Sequence, residues 1–169
     1  MGLQPQGERA EKSRLIKHKF FGLEEFKRAK CVMFYVSLPE EVDTSEMIGE
    51  ALEMGKRVCV PITLEDSRSI IASEIDGGSV LEKGPYGIGQ PKETDLKAVP
   101  LEDIDLVAVP GVAFDCCNVR LGRGHGYYDR FLKLLPKGTP TIGLAFDFQV
   151  VDNLPKDSHD VPVSRTITA

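Results

Sequence analysis

At 169 residues, 41% of them hydrophobic, the chain can bury one sizeable core and reads as a single domain over residues 1–169. A net charge of −5 argues against nucleic-acid binding through a broad basic face, and no apolar run reaches the length of a membrane span. Neither nucleic acid nor membrane is therefore an expected partner.

Residues 1–11 are polar rather than signal-like, and a cytoplasmic protein is the expectation. Residues 8–20 have helical composition, and a second short helix is predicted over residues 23–30, after Gly22. Both are rich in Lys and Arg, which marks a solvated face. Residues 31–36, Cys-Val-Met-Phe-Tyr-Val, form a continuous apolar run, so a strand buried on both faces is expected. After a loop, Asp43 or Thr44 caps a helix that ends near Met54, with Gly55 as its stop. Residues 57–62 are the next strand, and this order implies a right-handed parallel unit.

Residues 69–75 read as a third strand, and residues 84–91 hold too much Gly and Pro for more than a structured loop. Further strands are predicted at 106–109 and 141–146, a helix at 127–135, and an edge strand at 161–168. Strands alternating with helices over one core give an α/β, Rossmann-like fold, a mostly parallel sheet flanked by helices. Ligands in such sheets bind at the carboxyl ends of the strands. That rule directs the loop after Val36 and the glycine-rich run near residue 122 to one edge, with the segment after Phe146 a further candidate. Four cysteines without C-x-x-C spacing make neither a disulfide framework nor a zinc site. Cys31 and Cys59 fall in predicted strands as small core residues. Cys116 and Cys117 sit together in a loop, where a neighbouring arginine would lower a thiol pKa.

The chain is organised around Arg120-Leu-Gly-Arg-Gly-His-Gly-Tyr-Tyr-Asp129. A strand, a glycine turn and a helix N-terminus make an anion site, because unpaired N–H groups and the helix dipole face the ligand. Arg120 and Arg123 add bidentate phosphate donors. The spacing G-x-G-x-G matches neither the Walker A loop nor the dinucleotide fingerprint. The plain alternative is an exposed turn whose glycines satisfy only backbone geometry. Two arginines, a histidine and an aspartate in one decapeptide weigh against it. Glu40 or Glu41 either enters the cleft from the loop after the first strand or is simply solvated. Asp129 is either a partner of the helix dipole or a ligand for Mg²⁺ bridging phosphates. Asp160 is either the second carboxylate for such a metal or a loop and capping residue. On residues alone, the reading is an α/β protein that binds a phosphorylated ligand, with a nucleotide and Mg²⁺ foremost.

Residues 109–115, Val-Pro-Gly-Val-Ala-Phe-Asp, followed by the glycine run to Arg130, resemble the signature of the 5-formyltetrahydrofolate cyclo-ligases (methenyltetrahydrofolate synthetases). Blocks at 34–44, 55–56, 86–91, 143–149, 154–155 and 159–160 are similar to that family in the same order and cover nearly the whole chain. The resemblance implies cyclisation of 5-formyltetrahydrofolate to 5,10-methenyltetrahydrofolate, with ADP and phosphate released from ATP. The formyl oxygen attacks the γ-phosphate, and N10 then closes the ring. It implies ATP and Mg²⁺, and a folate substrate with or without a polyglutamate tail. It assigns ATP to Arg120, Leu121, Gly122, Arg123, Gly124, His125, Gly126, Tyr127 and Tyr128, and catalysis to Arg120, Arg123 and Tyr127. Folate falls to Val36, Glu41 and Tyr127, and Mg²⁺ to Asp129 and Asp160. The family's initial basic helix is expected to be missing, which leaves Lys12 and Arg14 as candidate substitutes. The alternative is a folate- or nucleotide-binding homologue that lost catalysis with that helix.

Overall fold

Four continuous apolar runs decide the architecture, because a strand apolar along its length must be covered on both faces. In the computed structural model, which describes residues 6–169, those runs become adjacent strands of one sheet. Residues 1–5, part of the segment expected to be polar and not signal-like, lie outside the described residues. Helices α1 (Gln6–Phe21) and α2 (Glu24–Arg28) lead into β1 (Cys31–Met33), α3 (Ser45–Glu53), β2 (Arg57–Leu64) and β3 (Ser69–Ile75). A hairpin of β4 (Leu81–Lys83) and β5 (Gly89–Pro91) precedes β6 (Leu106–Val109). A second hairpin joins β7 (Ala113–Asp115) to β8 (Arg120–Leu121), followed by α4 (Tyr127–Leu134), β9 (Thr141–Ala145), β10 (Val150–Val151) and β11 (Arg165–Thr168).

The main sheet runs β11-β9-β6-β1-β2-β3, parallel throughout except for the antiparallel β2–β3 pair. Successive side chains alternate between its faces. Val32, Val58 and Leu106 pack with Phe20 of α1 and Met47 of α3, whereas Met33, Cys59 and Val107 pack with Phe131 and Leu132 of α4. The expected mostly parallel α/β sheet flanked by helices is what forms. Among the described residues no helix is long and apolar enough to cross a membrane.

Several local expectations need correction. The ladder of the first strand stops at Met33, although Phe34 and Tyr35 remain buried. There the Tyr35 carbonyl accepts the Thr44 hydroxyl at 2.6 Å. Thr44 occupies the N-cap position of α3 but its oxygen is spent on that contact, and Asp43 accepts the Ser45 N–H at 2.8 Å instead. Residues 84–91 are not wholly irregular: β5 pairs with β4 in register Leu81↔Pro91, beside a turn in which Tyr86 takes φ 59°. The stretch directly before the glycine run is not β6 but the β7–β8 hairpin, with Phe114 opposite Arg120. Cys116 and Cys117 are its turn. β9 ends at Ala145, and the edge strand is confined to β11.

Phe114 fastens this hairpin, which with β10 forms a small sheet, to the main sheet. Its buried ring lies against two glycines: a Cβ at Gly143 in β9 would stand 2.5 Å from Phe114 Cε1, and one at Gly111 2.6 Å from its Cζ. Neither position has room for a methyl group while the ring stays. Gly143→Ala is therefore expected to cost about 1–3 kcal/mol through overpacking. The check is a lowered urea midpoint at unchanged m-value; an unchanged midpoint would show that the hairpin can float off its seat.

Candidate active site

The strand order reverses at β1: the chain proceeds from it to β2 on one side and later places β6 on the other. Open α/β sheets form a crevice at such a switch point, beyond the carboxyl ends of the strands. A cavity of about 760 Å³ lies there. Val36 and Glu41 reach it from the segment after β1, Pro110 and Gly111 from the end of β6, and the glycine run forms its rim. Val36, Glu41, residues 120–128, Asp129 and Asp160, all named from the sequence, line this one space. The segment beyond β9 contributes through Pro155, His159 and Asp160 rather than through residues next to Phe146.

The two arginines turn out to be unlike. The Arg120 side chain is 4% exposed and its Nη2 lies 3.1 Å from Asp129 Oδ2, itself 20% exposed. Its Nη1 donates to the Pro110 carbonyl at 3.3 Å, while Nε is buried without a protein partner. Arg123, 45% exposed, donates to Glu40 at 2.7 Å and to Glu41 at 3.3 Å. The Tyr128 hydroxyl is also buried and unpartnered, and the Arg120 guanidinium sits 5.6 Å from the Tyr128 ring. A buried polar group left unpaired is costly. Two such groups on the wall of one cavity are donors suited to the oxygens of an anionic ligand.

Glycine is required at two points of the loop. Gly124 has φ 87° and Gly126 has φ 67°, the latter as N-cap of α4. Arg130 then ties the loop down by donating to the His125 carbonyl at 2.7 Å and to the Arg68 carbonyl, in the β2–β3 turn, at 2.8 Å. Over the rim, the Tyr86 ring lies 4.6 Å from His125 and 6.1 Å from Tyr127, and the phenol of Tyr127 is raised first by contact with Tyr86. Tyr86 and Arg130 were not expected as site residues. Tyr86 falls in the family-like block 86–91 and Arg130 ends the signature run, and the resemblance gives neither a role.

Glu41 is 13% exposed and accepts the Leu38 N–H at 2.9 Å. Burial pushes its carboxyl above the usual range, against the opposing pull of that N–H and of Arg123. Glu40 is lowered, chiefly by its hydrogen bond to Arg123. Of the two glutamates, Glu41 is the one in the cavity wall.

Asp129 Oδ1 accepts the Val161 N–H at 3.3 Å, which holds the Asp160 turn beside α4. No group of three or more His, Cys, Asp or Glu among the described residues could hold a metal by itself. Asp129 and Asp160 both line the cavity, Asp160 Oδ2 accepting the Asp157 N–H at 2.7 Å, and carboxylates of this kind suit Mg²⁺, which keeps several waters. Lys12 and Arg14 do not line the cavity, and Lys12 Nζ is 2.8 Å from Asp147 Oδ1. The Cys116 thiol pKa is raised, first by contact with Cys117, and not lowered by an arginine.

A glycine loop, unpartnered cationic and hydroxyl donors and a switch-point crevice point to a class: an α/β enzyme with a cleft suited to an anion. The chain belongs to the 5-formyltetrahydrofolate cyclo-ligase family, whose model matches residues 3–169, and is a ligase of that kind. It is 30% identical to the mouse 5-formyltetrahydrofolate cyclo-ligase over 95% of this chain and 83% of that one. It is 32% identical to the Escherichia coli K12 protein of the same name over 83% of this chain and 78% of that one. The fold matches the structure of Aquifex aeolicus 5,10-methenyltetrahydrofolate synthetase with a TM-score of 0.84 at 36% identity, covering 98% of this chain and 81% of that one. A synthetase of the same name from Mycoplasma pneumoniae matches with a TM-score of 0.77 at 26% identity, over 97% and 88%.

Breaking a buried pair by removing one partner costs about 3–5 kcal/mol, whereas exposed pairs contribute about 0–1 kcal/mol. Arg120→Leu is thus expected to lower chemical stability severalfold more than Arg123→Ala, and equal losses in urea melts would contradict the assignment. Glu41 gives a pH signature. Because its folded pKa is raised, its contribution is present below the unfolded carboxylate pKa and is lost as pH rises through the raised value. Glu41→Gln should flatten the fall in stability across that window, read from urea midpoints against pH.

Proposed function

We propose that this chain converts 5-formyltetrahydrofolate to 5,10-methenyltetrahydrofolate with ATP and Mg²⁺, releasing ADP and phosphate. One observation carries the reading most directly. The glycine run and the loop after β1 meet at the Arg123 guanidinium, which contacts Glu40 and Glu41. A residue of the phosphate segment therefore touches the residue proposed for the folate.

Phosphoryl transfer needs positioning and charge neutralisation more than a protein nucleophile. The buried Arg120 and the loop N–H groups hold the phosphates, and Arg123 exchanges its glutamates for phosphate oxygens. Glu41, poised by burial, accepts hydrogen bonds from the pterin ring, with Val36 beside it. Tyr127 stands where nucleotide and folate meet, and Tyr128 donates its otherwise unpaired hydroxyl. Once the formyl oxygen has attacked the γ-phosphate, N10 closes the ring and phosphate leaves. Asp129 and Asp160 would hold Mg²⁺, which would supply charge neutralisation on the transferring group. No nucleic acid or membrane is needed, and the cytoplasm is the proposed location.

The test follows methenyltetrahydrofolate by its absorbance, with and without ATP and Mg²⁺. Losing a charge-assisted hydrogen bond costs about 1.5–3 kcal/mol, so Arg123→Ala should raise the KM for ATP about tenfold or more. Asp160→Asn should reduce turnover while folate binding, measured by calorimetry, persists. Asp129→Asn should reduce turnover further and also destabilise the chain, because it leaves Arg120 unpaired. If the wild type binds folate but shows no ATP-dependent rate at saturating Mg²⁺, the non-catalytic binding module takes the place of the enzyme.

A further inference from the structure

Cys116 and Cys117 form the turn of the β7–β8 hairpin, and neither has a part in the chemistry above. Both are free and exposed, with their sulfurs 3.9 Å apart. Asp115, buried beneath them, organises the turn. Its carbonyl accepts the Asn118 N–H at 3.0 Å, and its Oδ1 accepts the N–H groups of Cys117 and Val119, each at 2.9 Å. Oδ2 takes the Leu154 N–H at 3.1 Å. Asn118 holds φ 61°, its carbonyl accepts the Val163 N–H at 3.0 Å, and Cys116 Sγ donates to the Asp152 carbonyl at 3.2 Å. Segments from beyond β10 thus brace the turn, and the two thiols face each other on a fixed frame.

The spacing decides which chemistry suits the pair. Two sulfurs bound at about 2.3 Å to one tetrahedral centre stand about 3.8 Å apart, and a pyramidal trivalent centre draws them somewhat closer. A disulfide would require about 2.05 Å, between Cα atoms only about 3.8 Å apart where about 4.4–6.8 Å is usual. Capture of one thiophilic atom needs only a small closing of the pair, which pulls on the turn, and bond formation between the sulfurs needs the turn rebuilt. Soft divalent ions ask for further protein ligands, and no third metal-ligating residue among the described residues completes a group here. A trivalent arsenic centre that already carries one organic group is satisfied by two thiolates.

We propose that Cys116 and Cys117 form a bidentate dithiol site for a trivalent organoarsenical, R–As(OH)₂. Two As–S bonds form, two As–O and two S–H bonds break, and two waters leave; no oxidant or reductant is involved. Occupancy is transmitted to the cleft. Arg120 lies three residues beyond Cys117, paired with Phe114 across the hairpin, so pulling the turn shifts a guanidinium at the cavity wall. This second consequence rests on the phosphate role proposed for Arg120, whereas the capture does not.

The experiment titrates the full chain with phenylarsine oxide and reads intact mass. One adduct per chain is expected, removed by a small dithiol but not by the same concentration of monothiol. Cys116→Ser and Cys117→Ser should each weaken capture about a hundredfold, the gain a linked second ligand supplies. In the wild type, but not in Cys117→Ser, the adduct should raise the KM for ATP. No adduct in the wild type, an adduct that survives in both variants, or removal by monothiol overturns the site. An adduct with an unchanged KM in an active enzyme overturns the coupling to Arg120 alone, and an inactive wild type that still forms the adduct faults only the proposed function.

Discussion

The ion pair between Arg120 and Asp129 closes the glycine loop at both ends, and the rest of the cleft depends on that closure. Gly122, Gly124 and Gly126 lie between the two residues, and glycine loses more conformational freedom on ordering than any other residue. A loop of this composition would not hold its N–H groups in one direction unaided. Burying a guanidinium without a counter-charge is costly, so the pair is formed whenever the loop is formed. Asp129 then takes the Val161 N–H, which recruits the segment carrying Asp160 to the same wall. One carboxylate therefore joins β8, α4 and the approach to β11.

Around this fixed point the cleft divides by hydration. Its inner wall, with Arg120 and Tyr128, keeps donors that no protein atom satisfies. Its outer rim, with Arg123, keeps a donor already satisfied by Glu40 and Glu41. Preorganised donors act on a developing charge with little rearrangement. The inner wall fits that description, while the rim needs only an exchange of partners. Arg130 keeps the two regions in register by anchoring the His125 carbonyl to the β2–β3 turn.

What was legible in the sequence follows from how much chain each feature occupies. β1, β2, β6 and β9 were visible as uninterrupted apolar runs, and α4 as an amphipathic stretch following the glycines. The family resemblance added Val36, which lines the same cavity, and Lys12 and Arg14, which do not. The hairpins β4–β5 and β7–β8 escaped because strands of two or three residues carry no period. The orientation of β3 was available and unread: only residues 65–68 separate it from β2, too few for the crossover a parallel neighbour needs. The difference between Arg120 and Arg123 was not available at all. Two identical side chains three positions apart differ only in burial, and burial is settled by how the fold brings Pro110, Tyr128 and Asp129 around Arg120.

The first helix rests on the last strand. Lys19 of α1 donates to the Thr168 carbonyl of β11 at 2.7 Å, across 149 residues of sequence. The cleft draws its walls from positions 35 to 160. Contacts of such long range slow folding, because the entropy of closing the chain is met before the contact repays it. During synthesis, at about 5–20 residues per second, α1 emerges many seconds before its seat exists. Its polar sequence suits that interval, since Ile16 and Phe20 are its only fully buried large apolar side chains. The nascent helix thus offers little for aggregation to seize, and the cleft assembles late, when β11 docks beside β9.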